Sequence, residues 1–279
     1  MNRNLFNLWL AITNLLGFLG VVIINGLANA LPLNNRTTGE LSDQYPNLFV
    51  PAGLTFSIWG VIYILLAIFV IYGLVVAVKK DRQKTAFLER VGWLFFVSCL
   101  ANIGWIFAWH YKTLPLSLIL MLVLLGSLLA IYLRLRIGKS MATQNEKYLA
   151  HLPFSVYLGW ITIATIANVT ALLVSINWNT FGLGQPFWAI AVIIVGIAIA
   201  LAVLLTRQDI FYCIVVDWAL LGILIKRLTV ETAPVQSVII TVIVGLALIT
   251  AGIIVQIIRR KIYILEERNK VPTTASSSP

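Results

Sequence analysis

The sequence predicts an all-α fold, a polytopic bundle of membrane helices, and three observations support this prediction. Hydrophobic residues make up 60% of the 279 residues and charged residues only 11%, whereas about a quarter of a soluble globular domain is charged. The mean hydropathy is +0.96. Eight apolar runs are long enough, or nearly so, to cross a hydrocarbon core, which takes roughly 17–25 helical residues.

The eight runs occupy most of the chain and leave almost nothing for a soluble domain. The first resembles a secretory signal, because Arg3 precedes it and Ala28-Asn29-Ala30 resembles a cleavage site. It is too long for the apolar region of a signal, so we expect a retained helix. The seventh is the shortest and contains an acid. The runs are Leu8–Leu31, Leu54–Val78, Val91–Trp109, Leu114–Leu133, Leu152–Ile176, Phe187–Leu205, Ile210–Ile225 and Val235–Ile258.

Basic residues are distributed unevenly between the connections of the eight predicted helices. If the helices cross alternately, 16 of the 20 Lys and Arg residues lie on the side of the N-terminus. Basic residues concentrate on the cytoplasmic side of membrane proteins. We therefore expect an integral membrane protein of eight spans, in a bacterial plasma membrane, with both termini cytoplasmic. The net charge of +10 is then a topological feature that also attracts anionic lipid heads, and no nucleic-acid partner is expected.

Two connections divide the predicted helices into units. The longest outer connection, residues 32–53, contains turn formers and ends in an apolar stretch, so we expect an ordered lid. The uncharged loop NWNTFGLGQP at 177–186 separates five helices from three. The predicted units are a five-helix domain at 1–178 with the lid at 32–53, a three-helix extension at 179–261, and a low-complexity tail at 262–279 that is expected to be disordered.

Signals of enzyme chemistry are missing from the sequence. We find no cluster of metal ligands, no Gly-rich phosphate loop and no pairing of a nucleophile with a base. Cys99 and Cys213 both fall within predicted helices and are interpreted as small buried hydrophobic residues. We therefore predict a protein that is not an enzyme, with no catalytic residues, no metal site and no required cofactor.

The fifth run carries polar aromatic residues at a depth where lipid offers them no partner. In YLGWITIATIAN, the residues Tyr157, Trp160, Ala164 and Asn168 fall on one stripe of a helix that turns about 100° per residue. A phenol, an indole N–H and an amide find no hydrogen-bond partner in hydrocarbon. The stripe should therefore face protein or a lined cavity.

The second and third runs carry matching stripes. FSIWGVIY places Phe56, Trp59 and Tyr63 on one helix face. NIGWIFAW does the same with Asn102, Trp105 and Trp109. Because the helix directions alternate, the three stripes lie mainly in the outer half of the membrane, beneath the lid. An aromatic-lined hollow with a few hydrogen-bonding groups is the general form of a small-molecule site.

Structural explanations compete with this interpretation. A buried Asn can simply join helices, for about 0.6–2 kcal/mol, and Trp and Tyr gather at membrane interfaces as anchors. The shared depth of the three stripes favours a cavity for the residues in them. Interfacial anchoring is the prediction for the tryptophans near helix ends, namely Trp9, Trp93, Trp109, Trp178 and Trp188.

Three motifs, in order, resemble the TspO/MBR family of translocator proteins and tryptophan-rich sensory proteins. YLGWITIATIAN is similar to the family's fifth-helix pattern Y-L-x-W-[VI]-[ST]-x-A-T-x-x-N, and NIGW to its third-helix N-x-x-W. PAGLTFSIWGVIY is similar to the element that joins the first loop to the second helix. The family's W-x-P-P is reduced here to Pro51, and typical members have five helices rather than eight.

The resemblance implies a five-helix bundle whose pocket, closed by the first loop, binds porphyrins and other tetrapyrroles, sterol-like lipids or other flat apolar ligands. Bacterial relatives are linked to tetrapyrrole sensing, transport or light-dependent breakdown, and members often form homodimers. A porphyrin or haem-type ligand and the lipid bilayer are thus the expected partners. The expected ligand-binding residues are Tyr45, Pro51, Phe56, Trp59, Tyr63, Asn102, Trp105, Tyr157, Trp160 and Asn168.

Two other functions remain open at this point. Asp217 is the one acid placed deep in a predicted helix, where a charge costs about 2.5–3.5 kcal/mol, and such residues are usually functional. Ion or proton coupling through Asp217 would make the protein a secondary transporter of a small hydrophobic molecule, although no second intramembrane acid or base accompanies it. The other alternative is an assembly protein in which the stripes only pack helices together.

Overall fold

A computed structural model describes residues 2–31, 33–81, 84–229, 235–259 and 262–264. Within these ranges each of the eight apolar runs forms a long helix and no strand is present, which confirms the all-α prediction. The long helices are α1 (Arg3–Ala30), α2 (Ile58–Val78), α3 (Leu94–His110), α4 (Leu114–Arg134), α5 (Leu152–Ser175), α6 (Gly184–Arg207), α7 (Ile210–Thr229) and α8 (Gln236–Ile258).

Six of these helices are long and apolar enough to cross a membrane. The other two are α3, which has only 17 residues, and α7, which carries Asp217, Lys226 and Arg227 within its 20 residues. Eight spans therefore stay a prediction, although all eight helices are present.

The first five helices form a closed ring. α1 packs against α2 and α3, α3 against α4, α4 against α5, and α5 closes the ring on α2. The tight turn between α3 and α4 makes this pair antiparallel, and their contact is the most extensive in the fold. The ring encloses the part of the core where the three aromatic stripes meet.

The helices α6, α7 and α8 pack against one another and join the ring through α7, which lies along α5. Gly159 of α5 permits this close approach: a Cβ atom there would lie 3.0 Å from the carbonyl oxygen of Tyr212. As a result, the N-terminal half of α5 is buried on nearly all sides and not only along the predicted stripe.

Ion pairs join several connections at the end of the bundle that holds the N-terminus. Arg3 pairs with Glu89 at 2.5 Å, and Arg90 pairs with Glu146 at 2.5 Å. The Arg3 guanidinium lowers the pKa of the Glu89 carboxyl, against the opposing effect of burial, and a hydrogen bond from Asn7 lowers it further. These contacts bring together the start of α1, the α2–α3 connection and the α4–α5 connection.

The segment after α8 reaches the same end. The Tyr263 hydroxyl lies 2.6 Å from Ser140 Oγ and 2.8 Å from His151 Nδ1, and the Lys147 ammonium donates to the Tyr263 carbonyl oxygen at 2.9 Å. Residues 262–264 are buried. The first residues of the predicted tail are therefore packed rather than disordered, because a buried polar cluster holds them; residues 265–279 lie outside the described part of the chain.

Candidate ligand site

Trp59 of α2 is the centre of the aromatic cluster that the three stripes form. Its ring centroid lies 5.6 Å from that of Tyr63, 6.2 Å from Trp105, 6.0 Å from Tyr157 and 6.2 Å from Trp160. The contacts with Tyr157 and Trp160 are edge-to-face, with interplanar angles of 70° and 82°. Such pairs contribute about 0.5–1.5 kcal/mol each beyond their buried area. The structure thus brings α2, α3 and α5 together through their aromatic stripes.

A small cavity of about 40 Å³, the aromatic cavity, lies within this cluster. A cavity needs about 10–15 Å³ to hold one water molecule, so this space has room for only a few waters. Its lining includes six of the ten residues expected to bind ligand: Pro51, Phe56, Trp59, Trp105, Trp160 and Asn168.

The other four expected residues stand one layer behind the wall. Tyr63 stacks on Trp59, and Tyr45 of the lid packs on Trp109 with ring centroids 5.9 Å apart. Asn102 donates a hydrogen bond of 3.0 Å to the hydroxyl of Tyr157. These four residues orient the wall rather than line the cavity.

The lid covers the outer side of the aromatic cavity. A short helix at Thr38–Asp43 begins with a capping box, in which the Thr37 hydroxyl accepts from the Glu40 backbone N–H and the Glu40 carboxylate accepts from the Thr37 N–H. These hydrogen bonds lower the pKa of Glu40. The Trp109 indole N–H donates to the carbonyl oxygen of Thr38 at 3.3 Å, which ties this helix to α3.

Trp109 was expected to be an interfacial anchor, and that prediction is wrong. Its side chain is 5% exposed and lines the aromatic cavity, because the lid folds over the outer end of α3. By contrast, Trp9 and Trp93 are 59% and 51% exposed, as expected of anchors in contact with lipid.

Asn25 of α1 is a site residue that the sequence analysis missed. Its amide donates to Asn102 Oδ1 at 2.8 Å, so a buried hydrogen-bonded chain runs from α1 through Asn102 to Tyr157. The signal was present in the sequence: Asn7, Asn14 and Asn25 share one face of an otherwise apolar helix, and all three are buried.

Three buried hydrogen-bond donors in the cluster have no partner among the described residues. They are the indole N–H groups of Trp105 and Trp160 and the hydroxyl of Tyr63. A buried donor without a partner costs about 1–3 kcal/mol, and such groups in native proteins are few. Both tryptophans also line the aromatic cavity.

The comparison with protein families identifies the chain. The family model described as TSPO-like protein matches residues 11–255. The chain belongs to the TSPO-like family. The match covers most of the described chain and reaches α8, so it includes the three helices beyond residue 178 as well as the five-helix ring. No curated protein and no solved structure matches the chain.

Membership of the TSPO-like family, together with six helices of spanning length, makes this an integral membrane protein. The residues matched by the family model include α7, and this helix contributes residues to the site. Ala219 and Ile223 of α7 line the aromatic cavity beside the stripes. Small and aliphatic residues of this kind carry no chemical signature, so they could not be selected from the sequence.

A larger cleft of about 410 Å³, the α1 cleft, lies beside the aromatic cavity in this TSPO-like chain. It separates the outer end of α1 from the lid and the start of α2. Thr38, Phe56 and Trp59 line both spaces and form the partition between them. Other residues of the cleft are Asn25, Asn29, Thr37, Gly39, Glu40, Asp43, Gly53 and Ser57.

Asp217 lies apart from the aromatic cavity. One carboxylate oxygen accepts a hydrogen bond of 2.9 Å from Thr250 of α8, and the other has no partner among the described residues. The fully buried acid in the described chain is instead Asp209, just before α7. Its carboxylate accepts from Tyr132 at 2.9 Å, from Ser155 at 2.6 Å and from the backbone N–H of Tyr212 at 3.3 Å.

Asp209 was overlooked because an acid immediately before an apolar run is typical of a helix cap, and it does cap α7. Burial raises the pKa of its carboxyl. The hydrogen bonds from α4 and α5 give it a further structural role at the end of the bundle that holds the termini. Neither acid is close enough to the aromatic cavity to line it.

Proposed function

We propose that this protein binds a flat hydrophobic ligand, a porphyrin-type tetrapyrrole or a sterol-like molecule, at the aromatic cavity. The observation that carries the proposal is that Trp105 and Trp160, which both line the aromatic cavity, each bury an indole N–H group without a partner among the described residues. Family membership supports a binding or sensory role in a membrane.

The ligand needs more room than the aromatic cavity offers in this conformation. Small-molecule sites have volumes of about 300–1,000 Å³, a range that the α1 cleft meets and the cavity of about 40 Å³ does not. Rotation of Phe56 and Trp59, which separate the two spaces, would join them. Breaking a few aromatic contacts costs about 0.5–1.5 kcal/mol each, which the burial of a large apolar ligand can offset.

The joined site would suit a flat ligand with a few acceptor atoms. Trp59 and Trp160 would supply apolar ring faces, and the unpartnered indole donors would fix the ligand's orientation. Thr38 and Ser42 of the lid add hydroxyl groups on the outer side. Binding of this kind requires no catalytic group.

Fluorescence titration with a porphyrin tests the proposal. Quenching of tryptophan emission should saturate, and Trp105→Phe combined with Trp160→Phe should weaken binding about tenfold, or about 1.4 kcal/mol, because an aromatic ring remains at each position while both N–H donors are lost. Trp93→Phe is the matched control, since this side chain is exposed and remote from the cavity lining. Quenching that does not saturate, or that is weakened equally by the control, would refute the proposal.

The transporter alternative gains no support from the site geometry. Asp217 bonds to a neighbouring helix through Thr250, and no described lining residue of the aromatic cavity or the α1 cleft connects to it. We therefore propose ligand binding and not coupled transport as the primary function.

A further inference from the structure

A third space, the α6 groove, is bordered by a different part of the lid from the part that borders the α1 cleft. Its volume is about 360 Å³. The end of the lid, the outer turns of α5, the α5–α6 loop and the first turns of α6 form its walls. The lining residues are Asn47, Leu48, Phe49, Val169, Thr170, Leu173, Val174, Asn177, Trp178, Thr180, Gln185, Trp188, Ala189 and Val192.

The loop that closes the groove has an unusual backbone. Asn177, Thr180 and Phe181 adopt positive φ angles of 52°, 55° and 51°. Such angles are uncommon outside glycine and are genuine outliers for β-branched or bulky residues; each costs on the order of 1–3 kcal/mol. Strain of this size persists only where surrounding contacts hold it, and it is concentrated at binding sites.

Specific contacts hold the loop and its tryptophans against the groove. The Trp188 indole N–H donates to the Thr180 carbonyl oxygen at 2.8 Å, and the Asn179 side chain accepts from the Phe181 backbone N–H at 3.1 Å. The Trp178 and Trp188 rings meet with centroids 5.0 Å apart. These tryptophans were expected to be interfacial anchors, yet both line the groove.

The chemistry of the lining limits the class of ligand. Aliphatic side chains such as Leu173 and Val192 form an apolar wall, and the amides of Asn177 and Gln185 lie at the exposed rim. Within the described residues, neither amide makes a side-chain hydrogen bond, so both can bind a ligand. None of the described lining residues is charged. A charged head group would therefore lack a counter-ion here, whereas hydroxyl or carbonyl groups would match the amides.

We propose that the α6 groove binds a neutral amphiphile of the outer leaflet: a molecule with one apolar chain and an uncharged head that bears hydroxyl or carbonyl groups. The chain lies along the wall formed by α5 and α6, and the head bonds to the amides of Asn177 and Gln185 between the edges of the two indoles. This site is separate from the aromatic cavity: among the described lining residues, the two share only Phe49 of the lid.

Photolabelling in nanodiscs of phosphatidylcholine tests this site. A monoacylglycerol with a diazirine on its acyl chain should label peptides from the α5–α6 loop and the start of α6. The same probe as a free fatty acid, which is anionic, should label them about tenfold less, because no described residue of the lining is a cation. Unlabelled monoacylglycerol should compete, and added phosphatidylcholine should not.

Two substitutions on α6 provide the decisive comparison. Val192→Phe fills the groove and should reduce labelling about tenfold, whereas Val195→Phe makes the same change on an exposed face and should leave it unaltered. Val192→Ala, which enlarges the groove, should be labelled as strongly as the unaltered protein. That result would show that substitution of Val192 does not by itself abolish labelling.

Equal labelling of the two phenylalanine variants would overturn the proposal, as would labelling spread evenly over helix surfaces that contact lipid. Loss of the site would not affect the proposed porphyrin binding, because Val192 is not part of the aromatic cavity. The porphyrin titration of Val192→Phe should therefore match that of the unaltered protein, and failure of one proposal is distinguishable from failure of the other.

Discussion

At the scale of single residues, two buried amides near the candidate site, Asn168 and Asn102, have different structural roles. Asn168 exchanges hydrogen bonds of 3.2 Å with Ser117 of α4, so its polar group is already satisfied by a neighbouring helix. Asn102 instead links two helices, since it accepts from Asn25 and donates to Tyr157. The first arrangement joins two helices locally. The second fixes the position of Tyr157, and through it the ring of Trp59, beneath the candidate site.

Replacement of Asn102 should therefore destabilise the bundle. Asn102→Leu leaves the Asn25 amide and the Tyr157 hydroxyl without this partner, at a cost of about 1–3 kcal/mol. Thermal unfolding followed by intrinsic fluorescence in detergent should show a lower midpoint than for the unaltered protein. Asn29→Leu is the control, because that exposed amide bonds only to its own helix. A midpoint equal to that of the control would mean that the chain of amides contributes little.

The limits of sequence analysis are also visible in single residues. Trp59, Trp105 and Trp160 could be selected because aromatic and polar residues are rare in apolar helices and their spacing is periodic. Trp109 could not be assigned correctly, since nearness to a helix end does not reveal that a lid will cover it. The pairing of Asp217 with Thr250 was equally hidden, because it depends on how two helices pack and not on either helix alone.

At the scale of elements, the eight helices were predictable because long apolar runs end at charged or turn-forming residues. The contact between α7 and the base of the lid could not be predicted from the sequence. The Ala52 N–H donates to the Gly222 carbonyl oxygen at 2.9 Å, and the Trp218 indole donates to the Thr55 carbonyl oxygen at 2.9 Å. Lys226 further pairs with Asp43. Thus α7 holds the lid from the side. The one indication of this role in the sequence of α7 is Gly222, whose lack of a side chain permits the close contact.

A larger residue at position 222 should release the base of the lid. A Cβ atom on Gly222 would overlap the side chain of Thr55, so Gly222→Leu must push α7 away from the turn at Gly53–Ser57. We expect faster proteolysis within the lid and weaker porphyrin binding. Gly126→Leu provides the matched control, since no atom lies within 4 Å of the added Cβ there. If both variants resist protease equally, α7 does not anchor the lid.

At the scale of the whole molecule, the contacts assign the connections to two ends. The N-terminus, the α2–α3 and α4–α5 connections and residues 262–264 meet at one end through Arg3–Glu89, Arg90–Glu146 and the Tyr263 cluster. The lid and the α3–α4 turn meet at the other, where Asn34 donates to the His110 carbonyl oxygen at 3.0 Å. This grouping agrees with the uneven distribution of basic residues. The orientation in the membrane and a homodimer stay predictions, because neither follows from packing within one chain.

The accessibility of introduced cysteines tests whether the chain crosses the membrane eight times or six times. Cys99 and Cys213 are buried, so the unaltered chain gives little background. Asn35→Cys on the lid should react with a membrane-impermeant maleimide in intact cells, whereas Met141→Cys and Arg259→Cys should react only after permeabilisation. If α3 did not cross, Met141→Cys would react in intact cells; if α7 alone did not cross, only Arg259→Cys would change sides. The crossings of the short α3 and of the charged α7 are thus tested separately. The reactivity of Asn35→Cys in intact cells also decides whether the lid, and with it the candidate site, faces the exterior.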